Sequence, residues 1–192
     1  MSFIYFANYQ ENYFNSALTT KDNNFYLINP NLEESKNCKK IIETLNDKKI
    51  NNVEGVFFLS NQNFETVEAY KLFSEYGLTA YLPEGNKSIK NLTQMGFNVK
   101  VIKYNTEYKL NEFSFKYLSY QNTFFALLVQ INNKMFLEFD EKNIDLTQDF
   151  IQFLKTDLNF YLSCVKINNA TINYEEIFNT NNLVLNQKGS FC

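Results

Sequence analysis

Hydrophobic and polar positions along this chain change period several times, and the changes mark its elements. Residues 2–7 and 13–20 are aromatic and alternating. Residues 24–29 (Asn-Phe-Tyr-Leu-Ile-Asn) continue in that way until Pro30, so the chain opens as a meander of strands. From Leu32 the spacing becomes helical, with Leu32, Ile41, Ile42 and Leu45 on one face of a Lys/Glu-rich segment. Gly55 to Ser60 is a continuous apolar run, as expected of a strand buried on both faces. A second helix carries Val67, Tyr70 and Phe73 on its stripe and stops at Gly77. A short strand from Leu78 to Leu82 closes at Pro83-Glu84-Gly85, and Ile89, Leu92 and Met95 mark a small helix ending at Gly96. Residues 98–104 alternate strictly, and 112–119, 123–131 and 134–139 add further strands. Asn132-Asn133 is placed for a hairpin turn, because Asn tolerates positive φ. A helix over about 146–156 presents Leu146, Phe150, Ile151 and Leu154; a strand at 160–166, a helical piece near 174–178 and a strand near 182–186 complete the order.

This order predicts an α+β protein. Two mixed sheets packed together with helices outside, a four-layer αββα sandwich, is one of the α+β arrangements it admits. No internal repeat or linker-like stretch divides the chain, so residues 1–192 are expected to form a single domain.

Composition narrows the chemistry more than the fold. The chain has 192 residues, no His and no Trp, and its eighteen basic residues are all Lys. Without His there is no imidazole general base, no His-ligated zinc site and no Ser-His or Cys-His nucleophile pair. Without Arg there is no bidentate guanidinium clamp on phosphate or carboxylate. The net charge of −3 also disfavours a nucleic-acid partner. Lys39-Lys40 and Lys48-Lys49 read as solvated faces of a helix and its exit. Thirty Asn, with many Lys, Ile, Tyr and Phe, fit an A/T-rich coding bias, so Asn counts as a functional signal only where its position says so. Cys38, Cys164 and Cys192 are odd in number and widely spaced, the pattern of reduced thiols in a cytoplasmic protein. The first Lys is Lys21, so the apolar opening lacks the basic region of a signal peptide, and no run reaches the length of a membrane span.

Several short stretches then resemble, in order and spacing, the metallo-β-lactamase fold, and within it the domain of ComEC-type DNA-uptake proteins. Phe6-Ala7-Asn8-Tyr9-Gln10-Glu11-Asn12 stands where that family has a Gly-Gln-Gly-Asp-like turn, and Leu27-Ile28-Asn29-Pro30-Asn31 where it has an apolar strand ending in Asp-x-Gly. Phe57-Phe58-Leu59-Ser60-Asn61-Gln62-Asn63-Phe64-Glu65-Thr66 takes the place of the strand followed by Thr-His-x-His-x-Asp-His. Lys134 to Asp140 matches the strand-turn-strand that ends in Gly-Asp, and Val165 to Thr171 replaces a strand running into His-His-Gly-Ser.

In active members the resemblance implies one or two zinc or manganese ions that activate a water. Carried over position by position, the three His become Asn61, Asn63 and Thr66, the Asp becomes Glu65, and the downstream His pair becomes Asn168 and Asn169. Only Asp140 keeps its type. Amides and a hydroxyl are weak ligands for transition metals, although two carboxylates can hold Mg²⁺ or Ca²⁺ weakly.

Each of these positions also has a structural use. Asn61 and Asn63 precede a helix that Asn would cap, and Glu65 suits the dipole of its first turn. Asp140 reads equally as a turn carboxylate, and Asn168-Asn169 as a turn. Cys164 falls within a strand and reads as core. The resemblance therefore implies a pseudoenzyme with neither metal nor cofactor, acting through a protein partner or a second copy as a subunit or scaffold. Phe3, Tyr5, Tyr9, Tyr13 and Phe14 would form its aromatic surface if some face outward. Two other readings stay open: a hydrolase or ligand-binding protein that uses Glu65 and Asp140, and a nucleic-acid-binding protein related to DNA uptake.

Overall fold

The periodic segments become twelve strands and four α-helices in the computed structural model, which describes residues 3–6, 16–62, 66–110, 112–141, 144–158, 162–178 and 183–186. Contacts divide the chain into two compact units, Met1–Ile102 and Lys103–Cys192.

The first unit is a six-stranded mixed sheet. Strands β1 (Phe3–Phe6), β2 (Ser16–Thr19) and β3 (Phe25–Ile28) run antiparallel. Strands β4 (Val53–Phe57), β5 (Thr79–Pro83) and β6 (Asn98–Ile102) follow β3 in parallel. Parallel neighbours need crossovers, and helices supply them: α1 (Ser35–Asp47), α2 (Val67–Tyr76) and α3 (Ser88–Gln94). One sheet face packs on the helices through Leu27, Val56, Phe58, Ala80 and Leu82 against Cys38, Ile41, Leu45, Ala69, Leu72, Phe73 and Leu92. The other face is also buried and carries Tyr26, Phe57 and Tyr81, with Phe57 and Tyr81 stacked at 4.8 Å. Gly55 makes that stack possible: a Cβ there would lie 2.7 Å from a Tyr81 ring carbon and 2.8 Å from the Thr79 carbonyl oxygen.

The second unit is another six-stranded mixed sheet. Strands β7 (Tyr108–Leu110), β8 (Phe113–Tyr120), β9 (Thr123–Ile131) and β10 (Lys134–Asp140) form an antiparallel meander. Strands β11 (Leu162–Asn168) and β12 (Leu183–Asn186) extend it in parallel. Helix α4 (Gln148–Phe153) and the wider turn Leu154–Leu158 cover one face, where Phe150 and Leu154 join Phe125, Leu137, Phe139, Val165 and Ile167. The hairpin at Asn132-Asn133 forms as expected, with φ of 50° and 62°. Gln121-Asn122 makes an equivalent hairpin with φ of 49° and 62°.

Several sequence expectations change. The α2 stripe is Ala69, Leu72 and Phe73; Val67 and Tyr70 are 65% and 49% exposed. The apolar run after Gly55 is a strand only to Phe57, because Phe58 to Ser60 already form the exit loop. Strand β6 ends at Ile102, and the Tyr108–Leu110 strand carries too few apolar residues to be read from pattern. The helix expected over 146–156 is regular only from Gln148 to Phe153. Gly77 stops α2 as expected, at φ 61°, its N–H donating to the Phe73 carbonyl. Among the described residues, no helix is long and apolar enough to cross a membrane.

Candidate functional site

Because β3, β4 and β5 are parallel, the loops leaving their C-terminal ends share one sheet edge, the usual ligand edge of parallel sheets. Asn29 leaves β3 at φ 46° and is 8% exposed. Its N–H donates to the Phe57 carbonyl (2.7 Å), and its Oδ1 accepts from the Leu59 N–H (3.2 Å) and the Ser60 hydroxyl (3.3 Å). Asn61 Oδ1 accepts from the Lys87 N–H at 2.8 Å. Asn86 Nδ2 donates to the Ser60 carbonyl at 3.2 Å, and Asn86 Oδ1 accepts from the Ser88 N–H at 2.9 Å.

Gln62, unnoticed in the sequence, joins all three loops. Its Nε2 donates to the Pro30 carbonyl (2.7 Å) and its Oε1 accepts from the Leu32 N–H (2.9 Å). Its backbone pairs both ways with buried Ser88: the Gln62 N–H donates to the Ser88 hydroxyl (2.8 Å), which donates to the Gln62 carbonyl (2.7 Å). The partners lie 26 to 32 residues away in sequence, so no local periodicity announces them.

The cap of α2 is Thr66, whose Oγ1 accepts from the Ala69 N–H at 3.1 Å. This corrects the expectation for Asn61, which is occupied with Lys87. Asn63 and Glu65 lie outside the described residues. Cys38 approaches Thr66 (Sγ to Oγ1 3.8 Å) and donates to the Leu32 carbonyl at 3.4 Å. Burial pushes its thiol pKa up, with the Thr66 bond opposing, so this is a packed thiol in surroundings that disfavour the thiolate. Glu68, in the first turn of α2, is held below the usual carboxylate range, chiefly by a hydrogen bond from Ser35. Lys39 adds to this from 3.6 Å.

In the second unit, Asp140 ends β10 opposite Asn168 of β11. Asn169, at φ 57°, turns the chain and donates from Nδ2 to Asp140 Oδ1 at 2.7 Å. Asn168 is 4% exposed and donates to Glu138 Oε1 (3.2 Å) and the Phe139 carbonyl (3.4 Å). Glu138 is itself buried and stands opposite buried Lys166 across the β10–β11 pair.

Glu141, also missed from sequence, is 6% exposed and accepts from both the N–H (2.8 Å) and the hydroxyl of Thr171. The fully buried Tyr174 phenol is held far above its ordinary pKa, first by burial and then by the facing Glu141 carboxylate. Nothing in the sequence marks Glu141 apart from its place next to Asp140. The structure thus places Asn29, Asn61 and Thr66 in the loops at one edge of the first sheet, and gathers Asp140, Asn168 and Asn169 in the second unit.

The resemblance implies zinc or manganese, and this donor set does not fit either. The chain has no imidazole. The amide oxygens of Asn29 and Asn61 already accept hydrogen bonds, Thr66 caps a helix, and Asn168 and Asn169 turn their NH₂ ends toward carboxylates. Among the described residues, no three His, Cys, Asp or Glu side chains gather closely enough to hold a metal ion.

The two mixed sheets and their helices have the metallo-β-lactamase fold. Among solved structures, a metallo-β-lactamase from Cronobacter sakazakii, mutated in its HARLDQ motif, superposes with a TM-score of 0.55 and 8% identity, over 79% of this chain and 71% of that one. The metallo-β-lactamase fold protein YhfI from Bacillus subtilis superposes at 0.54 and 10% identity, over 91% of this chain and 89% of that one. No family model matches the chain, and no curated protein matches it either. At these identities the likeness shows the fold alone.

Proposed function

We propose that residues 1–192 form a single metallo-β-lactamase-like domain that has lost its metal-ligand motifs and serves as a cytoplasmic protein-interaction subunit or scaffold. In this reading the ligand motifs of a ComEC-like ancestor have been exchanged for amides. One observation carries it: the described residues at the matched ligand positions are, apart from Asp140, neutral amides and a hydroxyl. Each is already engaged in hydrogen bonds within the fold. Amide and hydroxyl oxygens are poor transition-metal ligands even when free. The extent of the likeness to the Bacillus subtilis fold protein supports one domain over the whole chain. A partner role is supported by Val67, which stands 65% exposed on α2, and by Tyr70 near it, which is 49% exposed although its ring meets Phe97 at 5.3 Å.

The test has two parts. Purified protein should neither retain zinc after dialysis nor hydrolyse a generic phosphodiester or lactam; stoichiometric zinc at micromolar or tighter affinity, or turnover, overturns the pseudoenzyme. A stoichiometric partner should co-purify from the native cell and be lost from a Val67→Asp/Tyr70→Lys variant that keeps the wild-type melting temperature. If the chain runs alone and monomeric at native concentration, the scaffold role fails.

A further inference from the structure

Three loops leave the C-terminal edge of the first sheet: 29–32 after β3, 58–62 after β4 and 86–88 after β5. In a parallel sheet this edge is normally left open for a ligand, with backbone groups free to bind it. Here those groups are turned on one another. Eight hydrogen bonds of 2.7 to 3.3 Å connect the loops, and Gln62 makes four of them.

The position of Gln62 explains its reach. Asn29 ties the first loop to the second, and Asn61 with Asn86 ties the second to the third. Ser60 reaches both neighbours with one bond each, to Asn29 and from Asn86, whereas Gln62 holds each of them twice, its amide bridging Pro30 and Leu32 while its own backbone is locked to the Ser88 hydroxyl. A side-chain amide suits this task because it offers a donor and an acceptor side by side, and so satisfies a carbonyl and an N–H two residues apart. Ser88 is 3% exposed, so its hydroxyl is shielded from bulk solvent.

We infer that Gln62 is the keystone of a hydrogen-bond clasp that does the cross-linking work of a metal at this edge, holding the three loops closed with no ion. The inference rests on the metal-free reading proposed above. The expected local effect is large, because removing the side chain leaves the Leu32 N–H and Pro30 carbonyl without their partners.

Amide hydrogen exchange on the full chain tests it, with and without EDTA. In Gln62→Ala, Leu32 should exchange at least about tenfold faster, while the β4 amide of Val56 keeps its wild-type rate. Should that variant fail to fold, Gln62→Glu keeps the acceptor for Leu32 but loses the donor to Pro30, and Ser88→Ala releases only the backbone pair. Slow Leu32 exchange is then expected in Gln62→Glu, and faster exchange at Gln62 in Ser88→Ala. Leu32 exchange within about twofold of wild type in Gln62→Ala overturns the clasp. If the alanine variant does not fold, an unchanged Gln62 rate in Ser88→Ala overturns it instead. EDTA should leave the wild-type pattern unaltered; if EDTA alone loosens these loops, the metal-free reading fails, whichever way the variants behave.

Discussion

Seven of the nine described non-glycine residues with positive φ are asparagines: Asn23, Asn29, Asn105, Asn122, Asn132, Asn133 and Asn169. Thirty of 192 residues are Asn, so composition alone would place one or two there. Coding bias can supply the residue, but the fold has used it where its short polar side chain lowers the cost of a left-handed backbone. The five glycines are correspondingly few, and Gly55 is kept for space instead of φ. Gly55→Ala should therefore destabilise the chain by about 1–3 kcal/mol, since its methyl meets both a ring and a backbone oxygen that cannot yield together. Urea unfolding midpoints measure this, and a Tyr81→Leu background should recover part of the loss.

At the scale of elements, two first-turn or loop carboxylates do work that the chain pattern hid. Glu68 has its folded pKa lowered by the Ser35 hydroxyl and then by the start of its own helix. Its contribution is therefore full above the unfolded value of about 4.5 and fades as pH falls through the lower folded value. Wild type should exceed Glu68→Gln in stability at neutral pH, and the gap should close in acid; urea unfolding from pH 7 down to pH 3 follows it. Glu141 is the larger case, because its carboxylate is buried and takes two donors from Thr171. Glu141→Ala should cost about 1–3 kcal/mol and raise exchange at the Thr171 amide. Thr171→Val should show the hydroxyl's share of that loss.

Strand and helix order was legible because, apart from β7, apolar period survives in the chain from β3 to β11. What escaped was whatever depends on distant partners. Val67 and Tyr70 fit a helical stripe as well as Ala69 and Leu72 do, and only packing decides which stripe faces the sheet. Asn61 looked like a cap, yet its oxygen found Lys87, and Thr66 sits where the helix begins. Gln62 and Glu141 carry no motif, for their meaning lies in residues about thirty positions away. The aromatic cluster at Phe3, Tyr5, Tyr9, Tyr13 and Phe14 and the positions Asn63 and Glu65 fall outside the side chains described.

Across the whole molecule, each unit buries a phenol in its interior. Tyr26 is pushed up to about 12, mainly by burial, with Tyr81 and Glu54 adding to it, and Tyr174 is shifted in the same direction. For a raised acid of this kind, the unfolded chain loses its proton first. Stability is therefore complete below pH 10 and declines as pH rises toward 12. Alkaline unfolding followed by circular dichroism should show this limb, and Tyr26→Phe should shift it to higher pH.

The loop after β4 also bears on how such a chain can change over generations. An imidazole at residue 61 would strand the Lys87 N–H, and one at residue 66 would remove the α2 cap, a loss of about 0.5–2 kcal/mol by itself. No single ligand repays that, because a metal binds only when several are present. At these two positions a single step toward ligation thus begins with a loss of folding stability. If Gln62 holds the loops as inferred, the clasp acts as a ratchet: the surface of this chain is freer to change than residues 61 and 66 are to become metal ligands.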